Sequence, residues 1–368
     1  MKKKICHIIS GDLWAGAEVQ VYTQLKELQK IPDLELHVII LNPGKLAVEL
    51  NKLNIDCLVF DESKQNFAYI FKQANKFINN NSIQALHSHR YKENILASLL
   101  KVNNFKLSLF QTIHGLPEPF TGFKGIKNKF ITFINLCFTN LFFKKAICVS
   151  NETQRSLPIR KNISCVLHNG IDEAHILAMS NMAISPIFPN DKIIIGTLAR
   201  LTAVKNISFL LKIFADIHKE YPNIHLCIIG DGPEKISLEK LSNDLKLNNY
   251  ISFLGFKENP YPYIKQFNIF MLTSLHEGIP MSILEAGILE LPVIASNAGG
   301  IKEIIDRPNL GLLFEVNNHN ECIQNLRQYL DNSITRIEHA KNLKEQIRAK
   351  FSIENQSKRL NNIYQYNN

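Results

Sequence analysis

Residues 192–200 read KIIIGTLAR, a short run of Ile and Leu that ends in Arg200. Runs of the same kind follow it as IHLCIIGDG (224–232), YISFLGF (250–256), IFMLTS (269–274) and LPVIAS (291–296). Longer stretches of helical periodicity separate them, and this alternation predicts a parallel sheet wrapped by helices. The same alternation occupies the first half, in ICHIIS (5–10), LHVIIL (36–41), IQALHSH (83–89), LSLFQTIHG (107–115) and KAICVS (145–150). After VLHNGID (166–172) comes the irregular stretch NMAISPIFPND (181–191), with Pro186 and Pro189, which predicts a domain boundary. The expected organisation is α/β in two doubly wound domains, 1–180 and 181–350. A terminal helix within 351–368 is expected to pack back on the first domain. Two such sheets facing each other would place the carboxyl ends of their strands around one crevice, where open α/β sheets bind ligands.

A chain of 368 residues is too long for one ordinary core, which agrees with two domains. Hydrophobic and charged fractions of 45% and 20% are globular, and no run approaches the ~20 apolar residues that cross a bilayer. The start MKKKICHIIS has the basic flank of a signal peptide, but its short apolar stretch meets Gly11-Asp12 and reads as a first strand. The seven cysteines form no C-x-x-C pair and suit a reducing cytoplasm. Residues 1–185 hold 22 Lys+Arg against 14 Asp+Glu, and 186–368 hold 20 against 19, so the halves carry +8 and +1. A basic first half suits an anionic membrane surface, an anionic substrate or a nucleic acid, and charge alone does not choose.

The sharpest motif is Glu277-Gly278-Ile279-Pro280-Met281-Ser282-Ile283-Leu284-Glu285, between the strand IFMLTS and a helix. Pro280 suits the first helical turn, where its missing N–H costs nothing. Gly278 allows close backbone approach, the helix start favours a diphosphate, and the two carboxylates can accept hydrogen bonds from sugar and ribose hydroxyls. Two solvated glutamates flanking a helix start would read the same way in isolation.

The ordered set of motifs decides between these readings. AGAE (15–18), QTIHG (111–115), VS (149–150), NGID (169–172), GTLARLTAVKN (196–206), IIGDGPE (228–234), FLGF (253–256) and the glutamate pair occur in sequence over nearly the whole chain. The chain resembles the retaining glycosyltransferases of family 4, or glycosyl transferases group 1, which have the two-domain GT-B fold. The resemblance implies that Glu285 binds the donor ribose and Glu277 the donor sugar. Arg200 and Lys205 match a basic pair that neutralises the leaving diphosphate in place of a metal. Gly278, Ile279, Pro280, Met281 and Ser282 would line the donor, and no metal or cofactor is implied. The donor would be a nucleotide-diphosphate sugar, commonly UDP-linked, and the acceptor a glycan or lipid-linked sugar of surface polysaccharide or glycolipid synthesis.

In the first half, Gly16 precedes the helix AEVQVYTQLKEL and could present backbone N–H groups to the β-phosphate. The family usually has two adjacent glycines there, whereas this chain has Ala15-Gly16. Glu18 reads as a structural or acceptor-side carboxylate. His114 matches the family's cleft histidine, which hydrogen-bonds the donor sugar near the reacting carbon. Ser150 matches a serine facing the cleft, or caps the following helix. His87 and His89 share one face of a predicted strand, but two histidines with no third ligand nearby make a poor zinc site. Asn169-Gly170 reads as a turn, and Gly230-Asp231-Gly232 is too short for a dinucleotide fingerprint.

Between Glu118 and Glu152 there is no acidic residue, and Lys124, Lys127, Lys129, Lys144 and Lys145 flank FITFINLCFTNLFF. As a helix, Phe130, Phe133, Ile134, Cys137, Phe138, Leu141 and Phe142 share one face, with Thr132, Asn135, Thr139 and Asn140 largely opposite. That face suits either the protein core or the anionic inner leaflet of a membrane, where a cytoplasmic enzyme would attach peripherally. Two rivals remain: a sugar-nucleotide epimerase of the same architecture, which needs no acceptor, and a nucleic-acid-binding protein. The second has the charge but no recognised motif or aromatic stacking platform, so no nucleic-acid partner is expected.

Overall fold

The computed structural model describes residues 2–12, 14, 16–116, 122–184, 187–188 and 191–365, with the backbone alone described over 122–129. The chain divides into two compact units, Met1–Gly170 with Ile353–Asn368, and Ile171–Ser352.

The first unit holds β1 (Lys3–Ile9), β2 (Leu34–Ile40), β3 (Asp56–Val59), β4 (Ala85–Ser88), β5 (Ser108–Ile113), β6 (Lys145–Cys148) and β7 (Ser164–Val166). They form one parallel sheet in the order β3-β2-β1-β4-β5-β6-β7. Around it run α1 (Gly16–Leu28), α2 (Lys45–Lys52), α3 (Phe67–Asn80), α4 (Tyr91–Asn103), α5 (Gly122–Phe142) and α6 (Asn151–Ser156). Successive strand residues enter different cores. Ile5, Ile9, Val38, Ile40 and Phe110 pack on one face, and Cys6, Ile8, Ile39, Leu41 and Leu109 on the other. Burial on both faces is why these strands read as unbroken apolar runs.

The second unit repeats the plan. β8 (Ile193–Leu198), β9 (Ile224–Ile229), β10 (Ile251–Gly255), β11 (Ile269–Leu272), β12 (Val293–Ser296) and β13 (Leu312–Phe314) pair in parallel in the order β10-β9-β8-β11-β12-β13. Its helices are α7 (Glu173–Ser180), α8 (Ile207–Glu220), α9 (Lys235–Asp244), α10 (Tyr261–Ile264), α11 (Met281–Ile288), α12 (Ile301–Ile304), α13 (His319–Asp331) and α14 (Ser333–Lys350). Strand order reverses between β1 and β4 and between β8 and β11. The carboxyl ends at such a switch point splay the following loops apart and leave room for a ligand.

The expected boundary at 180/181 lies at Gly170/Ile171 instead. Helix α7 belongs wholly to the second unit because Ile171 and Ile176 enter its core with Phe270 and Leu284. The return, expected at 350/351, falls at Ser352/Ile353, since Phe351 is buried in that same core and its carbonyl accepts from Ile171 N at 2.7 Å. Pro186 and Pro189, which suggested the later boundary, lie outside the described residues. Helix α15 (Ile353–Gln365) then packs on α1 and places Leu360 and Tyr364 in the core of the first unit.

Helix α5 departs from the single apolar face. Phe130 and Phe133 are each 64% exposed and Leu141 71%, whereas Thr139 is fully buried. Thr139 Oγ1 donates to Gln111 Oε1 at 3.1 Å, and Asn94 Nδ2 to Asn135 Oδ1 at 2.7 Å. Buried polar groups on β5 and α4 need partners, so the polar stripe of α5 turns inward and part of its apolar stripe outward. Glu118 and the side chains of Lys124, Lys127 and Lys129 lie outside the described residues.

Candidate functional site

In the second unit, the loops after β8 and β11 are knitted together by backbone. Leu275 N donates to Val204 O at 2.7 Å, and Thr273 Oγ1 to the carbonyls of Lys205 and Asn206, both at 3.2 Å. Asn206 takes the left-handed conformation that ends the short turn Ala203–Lys205 and begins α8. These bonds bring Lys205 Nζ to 2.5 Å from Glu277 Oε1, and Ser274 Oγ donates to the same oxygen at 2.6 Å. Beneath them the turn after β12 requires glycine: Gly299 has φ +60°, and a Cβ there would stand 1.9 Å from the carbonyl oxygen of Glu277. The loop after β8 is braced likewise by Gly230-Asp231-Gly232. Leu201 N donates to Asp231 O at 2.9 Å, and a Cβ on Gly230 would meet Ala199 O at 1.9 Å. Arg200 stands exposed on this loop, and among the described residues its guanidinium has no hydrogen-bond or ion-pair partner.

Helix α11 begins at Met281, so Pro280 is the residue before the first turn rather than within it, with φ −71° and ψ 117°. A proline has no side-chain acceptor to cap the helix, so the first amides lack the usual Ser, Thr or Asp partner. Glu285 follows one turn above Met281 on the same face. It is only 7% exposed, accepts from Tyr261 Oη at 3.3 Å, and burial pushes its carboxyl up to about 7, with the tyrosine bond opposing. Tyr261 is itself pushed up, by burial and then by the Glu285 charge.

Arg200, Lys205, Glu277, Gly278, Ile279, Pro280, Met281, Ser282 and Glu285 therefore all stand at the carboxyl ends of β8 and β11 or on α11. Lys205 and Glu277 touch. No hydrogen bond joins either of them to Arg200 or Glu285 among the described residues. An uncapped helix start at the same end of the sheet as two cations suits a polyanion, and a buried carboxyl near neutrality suits a hydroxyl pair. Tyr261 and Ser274 were not singled out from the sequence, where nothing in their spacing marks them.

In the first unit, Gly16 opens α1, and a Cβ there would meet nothing within 4 Å, so protein packing does not require glycine. Ala15 lies outside the described residues. Glu18 is fully buried and ion-paired with Arg90. Ser150 Oγ accepts from Thr153 N at 3.0 Å and so caps α6. His114 follows β5 and ends a line of buried rings. His89 Nδ1 is 3.2 Å from His114 Nε2, and His7 Nδ1 is 3.1 Å from His89 Nε2. Tyr364 Oη bridges His7 Nε2 at 3.2 Å and His87 Nδ1 at 2.5 Å, and His87 Nε2 reaches Thr112 Oγ1 at 2.8 Å. Burial holds all four rings neutral, with His7 lowered to about 3, His114 to about 4, and His87 and His89 well below the ordinary value.

The expectation that His87 and His89 have no third ligand nearby is thus wrong. Parallel pairing of β1 and β4 sets His7 against His87, and ring nitrogens of His7, His87 and His89 lie within 4.8 Å of one another. Each of these nitrogens nonetheless has a hydrogen-bond partner within the line. His7–His89 and His89–His114 have ring planes within 22° and 29° of parallel and centroids 5.3 and 5.4 Å apart. Each separation exceeds its N···N distance by about two ring radii, which is end-to-end N–H···N bonding rather than convergence on one ion.

Residues 181–350 match the family model described as glycosyl transferases group 1. The chain is 26% identical over 329 residues to the O-antigen biosynthesis glycosyltransferase WclY of Escherichia coli, covering 87% of each chain. It is also 26% identical over 331 residues to the N-acetylgalactosamine-N,N'-diacetylbacillosaminyl-diphospho-undecaprenol 4-alpha-N-acetylgalactosaminyltransferase of Campylobacter jejuni, covering 86% of this chain and 87% of that one. Among solved structures, Anabaena HepE in complex with UDP-glucose superposes with TM-score 0.83 at 18% identity, over 98% of this chain and 99% of that one. Two parallel-sheet units of this topology are those of the GT-B fold. Residues 181–350 carry the glycosyl transferases group 1 domain, and the chain is an enzyme of the glycosyltransferase class.

Proposed function

We propose that the chain is a retaining, metal-independent transferase of the family 4 type that uses a UDP-linked sugar. The observation that carries this reading is the Lys205–Glu277 pair beside the uncapped start of α11, at the switch point of the second sheet. Glu285 takes the ribose hydroxyls and Glu277 the donor sugar. Gly278, Ile279, Pro280, Met281 and Ser282 line the donor, with the first α11 amides on its diphosphate. Arg200 and Lys205 neutralise the charge that develops when the bond from the anomeric carbon to the phosphate oxygen breaks. The acceptor hydroxyl attacks from that same side and its proton passes to the departing phosphate oxygen, so configuration is retained without a protein nucleophile. In the first unit, His114 serves the donor sugar and Gly16 the β-phosphate. UDP as the nucleotide is supported by the UDP-glucose complex of HepE, which shares the fold.

The acceptor in this reading is a lipid-linked glycan of surface polysaccharide synthesis, as the names of the Escherichia coli and Campylobacter relatives suggest. No described helix is long and apolar enough to cross a membrane. In this reading attachment is peripheral, on the cytoplasmic face, and rests on the outward apolar stripe of α5 and its lysine-rich, acid-free surroundings. Thermal stabilisation by a panel of nucleotide sugars tests the donor, with stabilisation by a UDP sugar expected and lost in Glu285→Ala. NMR of the product's anomeric configuration tests retention; an inverted linkage would overturn it. Sedimentation with anionic vesicles tests attachment, and equal binding by wild type and a Lys124/Lys127/Lys129→Glu variant would count against it.

A further inference from the structure

The line Thr112–His87–Tyr364–His7–His89–His114 is continuous: five hydrogen bonds join six groups. Each group is neutral and carries one mobile proton, since a neutral imidazole has one N–H and a hydroxyl one O–H. Six protons and five links leave one proton outside the line, at one end or the other. Every interior imidazole must then donate at one nitrogen and accept at the other. Tyr364, fully buried, must spend its own proton on one of its two histidines rather than accept from both and leave that proton unpaired. All the groups therefore donate in the same direction.

The buried end settles the direction. Thr112 is 9% exposed, and among the described residues its hydroxyl has no partner other than His87 Nε2. Were His87 to donate to it, the threonine proton would be left buried and unpaired, the costlier arrangement. Thr112 therefore donates to His87 Nε2, His87 Nδ1–H to Tyr364, Tyr364 to His7 Nε2, His7 Nδ1–H to His89 Nε2, and His89 Nδ1–H to His114 Nε2. Only Nδ1 of His114 stays outside the line, and it carries the proton.

We propose that the line is a tautomer lock: Thr112 and Tyr364, five and three hydrogen bonds along the line from His114, hold it in the form that offers an N–H donor at Nδ1. They are positioning residues for transfer. The tautomer follows from hydrogen-bond completion alone; its catalytic effect rests on the assignment of His114 to the donor sugar made above. A donor at that position suits a sugar oxygen that gains negative character as the glycosidic bond to phosphate stretches. It also gives α15 a task beyond packing, since Tyr364 is the one hydroxyl in the line contributed from after the second unit.

Nitrogen NMR of histidine-labelled protein reads the tautomer directly. Wild type is expected to show His114 as the Nδ1–H form. Thr112→Val, which keeps the shape but removes the terminal donor, and Tyr364→Phe, which cuts the line in the middle, should each give a mixture. Transfer should slow roughly tenfold in kcat with KM for donor little changed, the size of one hydrogen bond to a transition state. Leu360→Ala lies on the same helix outside the line. It should lower stability yet leave the His114 tautomer unchanged, which separates the lock from simple packing. If Tyr364→Phe does not fold, Thr112→Val gives the same readout from the far end. A wild-type His114 with its proton on Nε2, or an unchanged Nδ1–H form in the folded variants, would overturn the lock. A tautomer that shifts as expected while His114→Ala transfers sugar at the wild-type rate would leave the lock standing and overturn the assignment of His114 instead.

Discussion

The switch points of the two sheets share a strand order and differ in chemistry. At β8 and β11 the side chains are acids and bases: Lys205 against Glu277, Arg200 with no partner among the described residues, and Glu285 buried beside Tyr261. At β1 and β4 they are neutral rings joined end to end, His7, His87 and His89, with His114 at the open end. The fold thus fixes where a ligand can rest, and the residues at the strand ends decide what it is offered. One end offers charge to a polyanion; the other offers oriented N–H and lone-pair positions.

The sharpest way to break this contrast is to remove the charge. Lys205→Ala should lower kcat by about 10²–10³ while donor affinity changes far less, measured by steady-state kinetics and calorimetry. Unchanged turnover would mean that the ionic end is structural. Next in size, Gly299→Ala should destabilise the second unit by roughly 2–4 kcal/mol in urea unfolding. Its Cβ meets the Glu277 carbonyl, and its positive φ strains an L-residue.

The two ends should also answer oppositely to pH. The four histidines sit below their ordinary value, so beneath about pH 6.5 the unfolded chain binds protons that the folded chain cannot. Their contribution to stability is lost as pH falls. Glu285 has its carboxyl raised to about 7 by burial, so its contribution is lost as pH rises from the ordinary carboxylate value of 4.5 towards 7. Glu93 in the first unit, also raised to about 7 by burial, acts in the same sense as Glu285. Glu285→Gln should therefore gain stability over wild type at pH 8, on the order of 2–3 kcal/mol, and almost none at pH 4. A gain at pH 4 as large as that at pH 8 would refute the burial argument. The smallest effect is expected at Leu141, exposed on α5: Leu141→Ser should shift stability by less than about 0.5 kcal/mol while weakening vesicle binding.

The inner strands of both sheets were legible in the sequence because they are buried on two faces and so appear as unbroken apolar runs. The part-exposed edge strands β3, β7 and β13 carry no such run and were not singled out. The placement of Glu277 and Glu285 around a helix start was legible because both lie in one local stretch between a strand and a helix. The third histidine was not. His7 meets His87 only through the register of β1 on β4, and Tyr364 joins them from 277 positions beyond His87. Helix α5 shows a different limit, since periodicity defines two stripes but cannot say which one neighbouring elements will cover. The boundary moved for a similar reason: prolines mark irregular backbone, whereas the units part where Ile171 and Phe351 enter one core.

The crossing at Ser352/Ile353 constrains how the chain can mature. The second unit is contiguous and can close as soon as Ser352 emerges from the ribosome, but the first lacks Leu360 and Tyr364 until the last helix is made. The half translated first is therefore the half completed last, and its apolar surface under α15 stays uncovered through the synthesis of its neighbour.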